Sequence, residues 1–207
     1  MPGMYHGERF NSYSHLAALV LVLLGAAPLL AQAAGNTERT VGAAVFTLCA
    51  ALLYAASTLY HATRGRAKRV WQRLDHCAID LLVAGSYTPF AACAARHVWD
   101  WALLALIWLL AASGMAAELR GKPGSKPPLA LYLGFGWLCV AGVALLAPQL
   151  GTAGLVWLAA GALAYSVGTV FYINRSGWRH AHGTWHLFVL CGTACHYAAV
   201  ACLDGWS

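Results

Sequence analysis

The feature that most constrains this chain is the length of its apolar runs, which are almost free of charge. Seven can be read: Leu16–Ala34, Thr40–His61, Asp75–Ala95, Val98–Glu118, Leu129–Pro148, Gly151–Ile173 and His182–Leu203. Each approaches the roughly 20 predominantly apolar residues that a helix needs to cross a bilayer core. The fifth and sixth come from one uncharged stretch, Pro127 to Asn174, which is too long for a single crossing and is broken by the turn Pro148-Gln149-Leu150-Gly151. The third carries Asp80 within it; a carboxylate is costly against lipid, so this side chain should face the bundle interior.

Only helices and closed barrels satisfy every backbone group in lipid, and none of these runs alternates with a period of two. The expected class is therefore an all-α integral membrane protein, a single seven-helix bundle over residues 1–207. Composition agrees. Of 207 residues, 60% are apolar and 10% charged, against roughly 25% charged in an ordinary soluble domain, which excludes a water-soluble globule. A second domain does not fit in this length. The segment Ala31-Gln32-Ala33 resembles a signal cleavage site, but one Arg and one Glu precede the run where a basic stretch belongs, so the first span is expected to be retained.

The net charge of +6 invites a nucleic-acid reading, which would require basic residues on a solvated face with interleaved aromatics. Here they sit in short segments between apolar runs, so no nucleic-acid partner is expected, and they report topology. Arg9, Arg64, Arg66, Lys68, Arg69, Arg73, Arg120, Lys122, Lys126, Arg175 and Arg179 share one side of a seven-span chain, while Arg39 and Arg96 lie on the other. Short cytoplasmic loops retain Lys and Arg, which predicts a cytoplasmic N-terminus and a C-terminus outside. The run Arg64 to Arg73 also suits anionic headgroups. Seven cysteines fall inside the apolar runs without CxxC pairing, which indicates packing rather than a disulfide framework or a thiolate metal site.

Nine histidines supply the chemistry. His6, His15, His61, His76, His180, His182 and His186 map to the cytoplasmic ends of spans, His97 to the outer end, and His196 lies about 15 Å along the last span from His186. His182 and His186 are an i,i+4 pair that presents two imidazoles on one helix face, and His61 ends the second span at the same depth. Three imidazoles with an open fourth position make the ligand set of a catalytic zinc. Asp75 begins the third span at that level, where it can serve as general base, and Ser57 lies one turn before His61 on the same face. A second reading stands beside this one, in which the same histidines are interfacial anchors or helix-to-helix hydrogen bonds. His76 and His180 are expected to be interfacial partners, His196 a buried hydrogen-bonding residue, and Glu8, Asn11 and His15 the cap and tether of the first helix.

Four short motifs then resemble the progestin and adipoQ receptor (PAQR) group, which includes the bacterial hemolysin III proteins. Glu8-Arg9-Phe10-Asn11-Ser12-Tyr13-Ser14-His15 is similar to its N-terminal E-x-x-N-x-x-T-H pattern, with Ser in place of Thr, and Ser57-Thr58-Leu59-Tyr60-His61 to its S-x-x-[YF]-H motif. Asp75-His76, Ile79 and Ala84-Gly85-Ser86-Tyr87-Thr88-Pro89 match its third-span signature; His182-x-x-x-His186 with His196 matches its last. The resemblance covers nearly the whole chain. It implies seven helices in a bacterial inner (plasma) membrane and a zinc near the cytoplasmic end, held by His61, His182 and His186 with Asp75 and Ser57 beside it. The wider superfamily includes alkaline ceramidases, so membrane lipids are the implied partners and hydrolysis of a lipid amide or ester the implied activity. Two other functions are weighed with it: a zinc-stabilised protein without chemistry, serving membrane homeostasis or pore formation, and a haem protein with axial histidines.

Overall fold

The computed structural model describes residues 4–5, 7–94, 97–121, 129–145 and 151–203. Within them the chain forms seven helices: α1 (Glu8–Ala33), α2 (Thr37–Ala62), α3 (Gly65–Ala94), α4 (Val98–Arg120), α5 (Leu129–Leu145), α6 (Gly151–Ile173) and α7 (Ala181–Ala201). Four of them, α1, α2, α4 and α6, are long and apolar enough to cross a membrane. The helices α3 and α7 are long enough, but Asp75, His76 and Asp80 on one and three histidines on the other lower their apolarity. His6, Arg96, Lys122, Lys126 and the turn Pro148-Gln149-Leu150 lie outside the described residues.

Local chemistry sets the helix ends. Asn36 caps α2 by accepting the Arg39 N–H at 3.0 Å, and the Thr40 hydroxyl donates to the Ala33 carbonyl at 3.0 Å, which ties α2 to the end of α1. Two helices start well before their apolar runs. The helix α1 begins at Glu8, and α3 begins at Gly65, ten residues before Asp75. The basic run expected as a loop is thus the first turns of α3. Arg66, Ala67, Lys68, Arg69, Gln72 and Leu74 are good helix formers and no Gly or Pro separates Gly65 from Asp75, so nothing stops the helix at the end of the apolar run.

Six helices close a ring in the order α1, α2, α3, α5, α6, α7 and back to α1, while α4 packs outside against α3 and α5. Small residues set the spacing. A Cβ on Gly42 would lie 2.8 Å from the Cα of Pro89, and one on Gly85 would lie 2.7 Å from the Cβ of Cys49, so α2 and α3 meet nearly backbone to backbone. Phe46, Tyr87, Phe90 and Ile107 fill one end of the bundle; Leu53, Tyr54, Leu82 and Val189 fill the other. Outward faces are apolar too: Leu24 and Leu109 are each 67% exposed. Such faces are unfavourable in water and cost nothing against lipid tails. Asp80 is buried as its desolvation cost requires, but in the seam between α3 and α4 rather than inside the ring, with its carboxylate against the Cα side of Gly114 on α4.

Candidate metal centre

The first turns of α1, the last turn of α2 and the first turns of α7 meet at one end of the ring. His61 is the penultimate residue of α2, which stops where Thr63 leaves helical geometry and turns its hydroxyl back to the Leu59 carbonyl at 2.7 Å. On the other side, Asn174 adopts a left-handed φ of 48° and folds the connection from α6. Its side-chain oxygen accepts the Trp178 N–H at 2.7 Å and its amide donates to the Trp178 carbonyl at 3.1 Å. This turn delivers His182 and His186 to the start of α7.

The structure brings His61, His182 and His186 together, with one ring nitrogen from each lying within 4.8 Å of the others. Ring centroids are 5.1 Å apart for His61 and His182, 4.9 Å for His61 and His186, and 4.7 Å for His182 and His186. The nitrogens facing away from the shared space are engaged. His61 Nδ1 bonds the Glu8 carboxylate, and His186 Nδ1 donates to the Asn11 carbonyl at 3.0 Å with the Ser14 hydroxyl at 3.1 Å. Such partners fix the tautomer and leave Nε2 with a lone pair, the arrangement found around metal-bound imidazoles. His61 Nε2 is buried without a hydrogen-bond partner among the described residues. Three neutral nitrogen donors, one of them an orphaned buried acceptor, fit a metal ion such as zinc.

Sequence reasoning gave Glu8 and Asn11 only a tethering role. Both tether α1 and, in the same contacts, orient the ligand candidates, Glu8 through its side chain and Asn11 through its backbone. The available signal was the i, i+3, i+7 spacing of Glu8, Asn11 and His15, which puts them on one face of α1. Glu8 is itself held by Lys68 Nζ at 2.9 Å and by the Asn11 amide at 2.9 Å, and Lys68 lies 4.2 Å from the centre of the Tyr60 ring. The carboxylate therefore stands between a cation and an imidazole rather than facing lipid unpaired.

Ser57 and Asp75 are buried beside this cluster, with the serine hydroxyl facing the carboxylate. His15 is buried as well, stacked on His186 at 3.6 Å with its edge toward Tyr54 at 5.0 Å. The other histidines serve elsewhere. His76 pairs with Glu118 at 3.1 Å, His180 is exposed against the edge of Phe10, and His97 precedes α4 with its N–H on Asp100 at 2.9 Å. One cavity of about 570 Å³ runs inward from the histidines. His15, Ser57, Asp75 and the three ligand candidates line one part of it, and Leu82, Val83, Phe90, Val140, Val143 and Leu158 line its apolar wall.

Known proteins are similar to this chain over most of its length. The sequence profile described as "Haemolysin-III related" matches residues 4–197. "Hemolysin-3" of Bacillus cereus is 33% identical over 198 residues, covering 93% of this chain and 90% of that one. "Hemolysin-3 homolog" of Bacillus subtilis (strain 168) is 35% identical over 187 residues, covering 89% and 85%. "Monocyte to macrophage differentiation factor" of Homo sapiens is 27% identical over 204 residues, covering 92% and 81%. A match over almost the full length, with helices that can cross a bilayer and histidines converging at one end, leads to one conclusion: this chain belongs to the haemolysin-III related family of PAQR-type membrane proteins.

Proposed function

We propose that the protein is a zinc-dependent hydrolase of a lipid amide or ester. In this reading it forms a single seven-span domain of a bacterial inner (plasma) membrane, with its N-terminus and its histidines on the cytoplasmic side. The observation that carries the proposal is the cavity, which joins three imidazoles and a buried Ser57–Asp75 pair at one end to an apolar channel at the other. A metal site with structural duty alone has no use for a buried carboxylate beside it or for a lipid-sized void beneath it.

His61, His182 and His186 would hold the zinc, with Glu8 and Asn11 orienting two of them. When bound, zinc polarises a carbonyl and acidifies a water. Asp75 takes the proton from the attacking water and passes it to the leaving amine or alcohol. Ser57 holds Asp75 through its hydroxyl and offers a hydrogen bond at the membrane side of the site. The apolar wall binds the acyl chain and keeps bulk water from the reacting carbonyl.

The name of the Bacillus cereus relative points to a second reading, lysis of membranes. The leucine-rich outer faces of α1 and α4 favour the enzyme, because they suit a bundle standing singly in lipid more than the wall of a water-filled pore. Elemental analysis of purified protein with a visible spectrum tests the first step. Stoichiometric zinc without a Soret band is expected, and a Soret band would replace the zinc reading by a haem protein. Fatty-acid release from ceramide-like and other acyl-amide lipids, compared with Asp75→Asn, tests the second.

A further inference from the structure

Deep in the cavity, two polar side chains stand without well-formed hydrogen bonds. His196 on α7 is 8% exposed and Tyr87 on α3 is 1% exposed; the Tyr87 hydroxyl has no hydrogen-bond partner among the described residues, and His196 approaches only the Leu158 backbone, short of a well-formed hydrogen bond. Both line the same cavity as the histidine cluster. Their neighbours behave otherwise. Tyr54 donates to the Thr193 hydroxyl at 2.7 Å, and Tyr165 shares that hydroxyl at 2.8 Å, so the surrounding polar layer is satisfied. The edge of Tyr165 packs on the His196 ring at 5.4 Å, and a Cβ on Gly161 would overlap that ring. Glycine at 161 therefore makes room for an imidazole that forms no well-formed hydrogen bond among the described residues.

The depths agree. The helices α3 and α7 both start at the metal-centre end, so Tyr87, twelve residues beyond Asp75, and His196, ten beyond His186, lie roughly 15 to 18 Å further in. An extended chain gains about 1.2 Å per main-chain bond, so this depth corresponds to roughly a dozen carbons. A neutral imidazole offers one donor and one acceptor, and a phenol offers both from one oxygen. The group complementary to such a pair is a hydroxyl, which also donates and accepts.

We infer that His196 and Tyr87 form a second subsite, which selects acyl chains bearing a hydroxyl near the middle of the chain, about a dozen carbons from the group at the metal centre. This inference rests on the proposed lipid reading, since it places the chain in the cavity. A site built to bond a hydroxyl discriminates against the chain that lacks it, because the latter leaves buried polar groups unpaired.

The test is equilibrium binding of two probes, 12-hydroxyoctadecanoic amide and octadecanoic amide, to the full-length protein in nanodiscs. Emission of Trp137 and Trp185, which line the cavity, reports occupancy with or without zinc and without turnover. The hydroxylated amide is expected to bind about tenfold tighter. Tyr87→Phe, which removes a single oxygen, and His196→Leu should each bring the two affinities to within about twofold, mainly by weakening the hydroxylated probe. 2-Hydroxyoctadecanoic amide, whose hydroxyl stays at the metal-centre end, should show no dependence on either variant. Equal binding of the two probes to the wild type, or a preference that survives in both variants, overturns the inference and leaves the hydrolase reading standing. Failure of both amides to bind overturns the lipid reading and the inference with it. Hydrolysis without discrimination removes the inference alone.

Discussion

The carboxylate of Glu8, in the first turn of α1, accepts a hydrogen bond from His61 Nδ1 at the end of α2, while Lys68 Nζ holds its other oxygen at 2.9 Å. A residue 53 positions away in sequence thus sets the tautomer of a ligand candidate. Glu8→Gln keeps the shape and loses the charge, so it should weaken zinc binding about 10- to 100-fold without unfolding the bundle. Competition with a chromophoric chelator measures this, and unchanged affinity would return Glu8 to a tethering role.

Removal of a ligand should be more severe. His61→Ala, His182→Ala and His186→Ala are each expected to lose most bound zinc on elemental analysis, while His180→Ala, exposed and edge-on to Phe10, should retain it. Full retention in His186→Ala would show that the α7 pair is structural. Imidazole ligates only when neutral, and protons compete for the same nitrogens. Affinity should therefore hold steady at neutral pH and above, and fall once the pH is low enough to protonate these imidazoles.

Asp75 and Ser57 separate catalysis from metal binding. Asp75→Asn preserves the shape of the side chain but cannot take a proton, so zinc content should persist while turnover of an acyl-amide lipid falls on the order of 100-fold or more. Ser57→Ala removes one hydrogen bond and should cost about tenfold. Equal fatty-acid release by wild type and Asp75→Asn would sink the general-base role.

Topology can be read independently of chemistry. A reporter fused after Ser207 should be active outside the cytoplasm, and one inserted after Lys68 should be active inside. Swapped activities would put the histidines on the opposite face and overturn the assignment drawn from the basic residues.

Much of the architecture is written in the chain because lipid permits so few alternatives. A bilayer admits only structures that satisfy their own backbone, so an apolar run of spanning length is already a helix: the run at Val98 and that at Gly151 begin where α4 and α6 begin. Sites within one helix are equally legible, since the i,i+4 spacing of His182 and His186 settles their common face. The start of α3 was not, because hydropathy reports where lipid ends and not where helical geometry ends; Gly65 to Leu74 stay helical on the propensity of their charged residues.

Relations between helices were decided by tertiary packing alone. That α1 lies against both α2 and α7 puts Glu8 on His61 and Asn11 on His186, contacts that no local pattern encodes. Tyr87 and His196 share a cavity because the ring brings α3 and α7 to the same void with both helices starting at the same end, and because Gly161 leaves space for the imidazole. Sequence periodicity names the face of a single helix. Which faces meet depends on glycines and side-chain volumes summed around the closed ring, and that sum is a property of the assembled bundle.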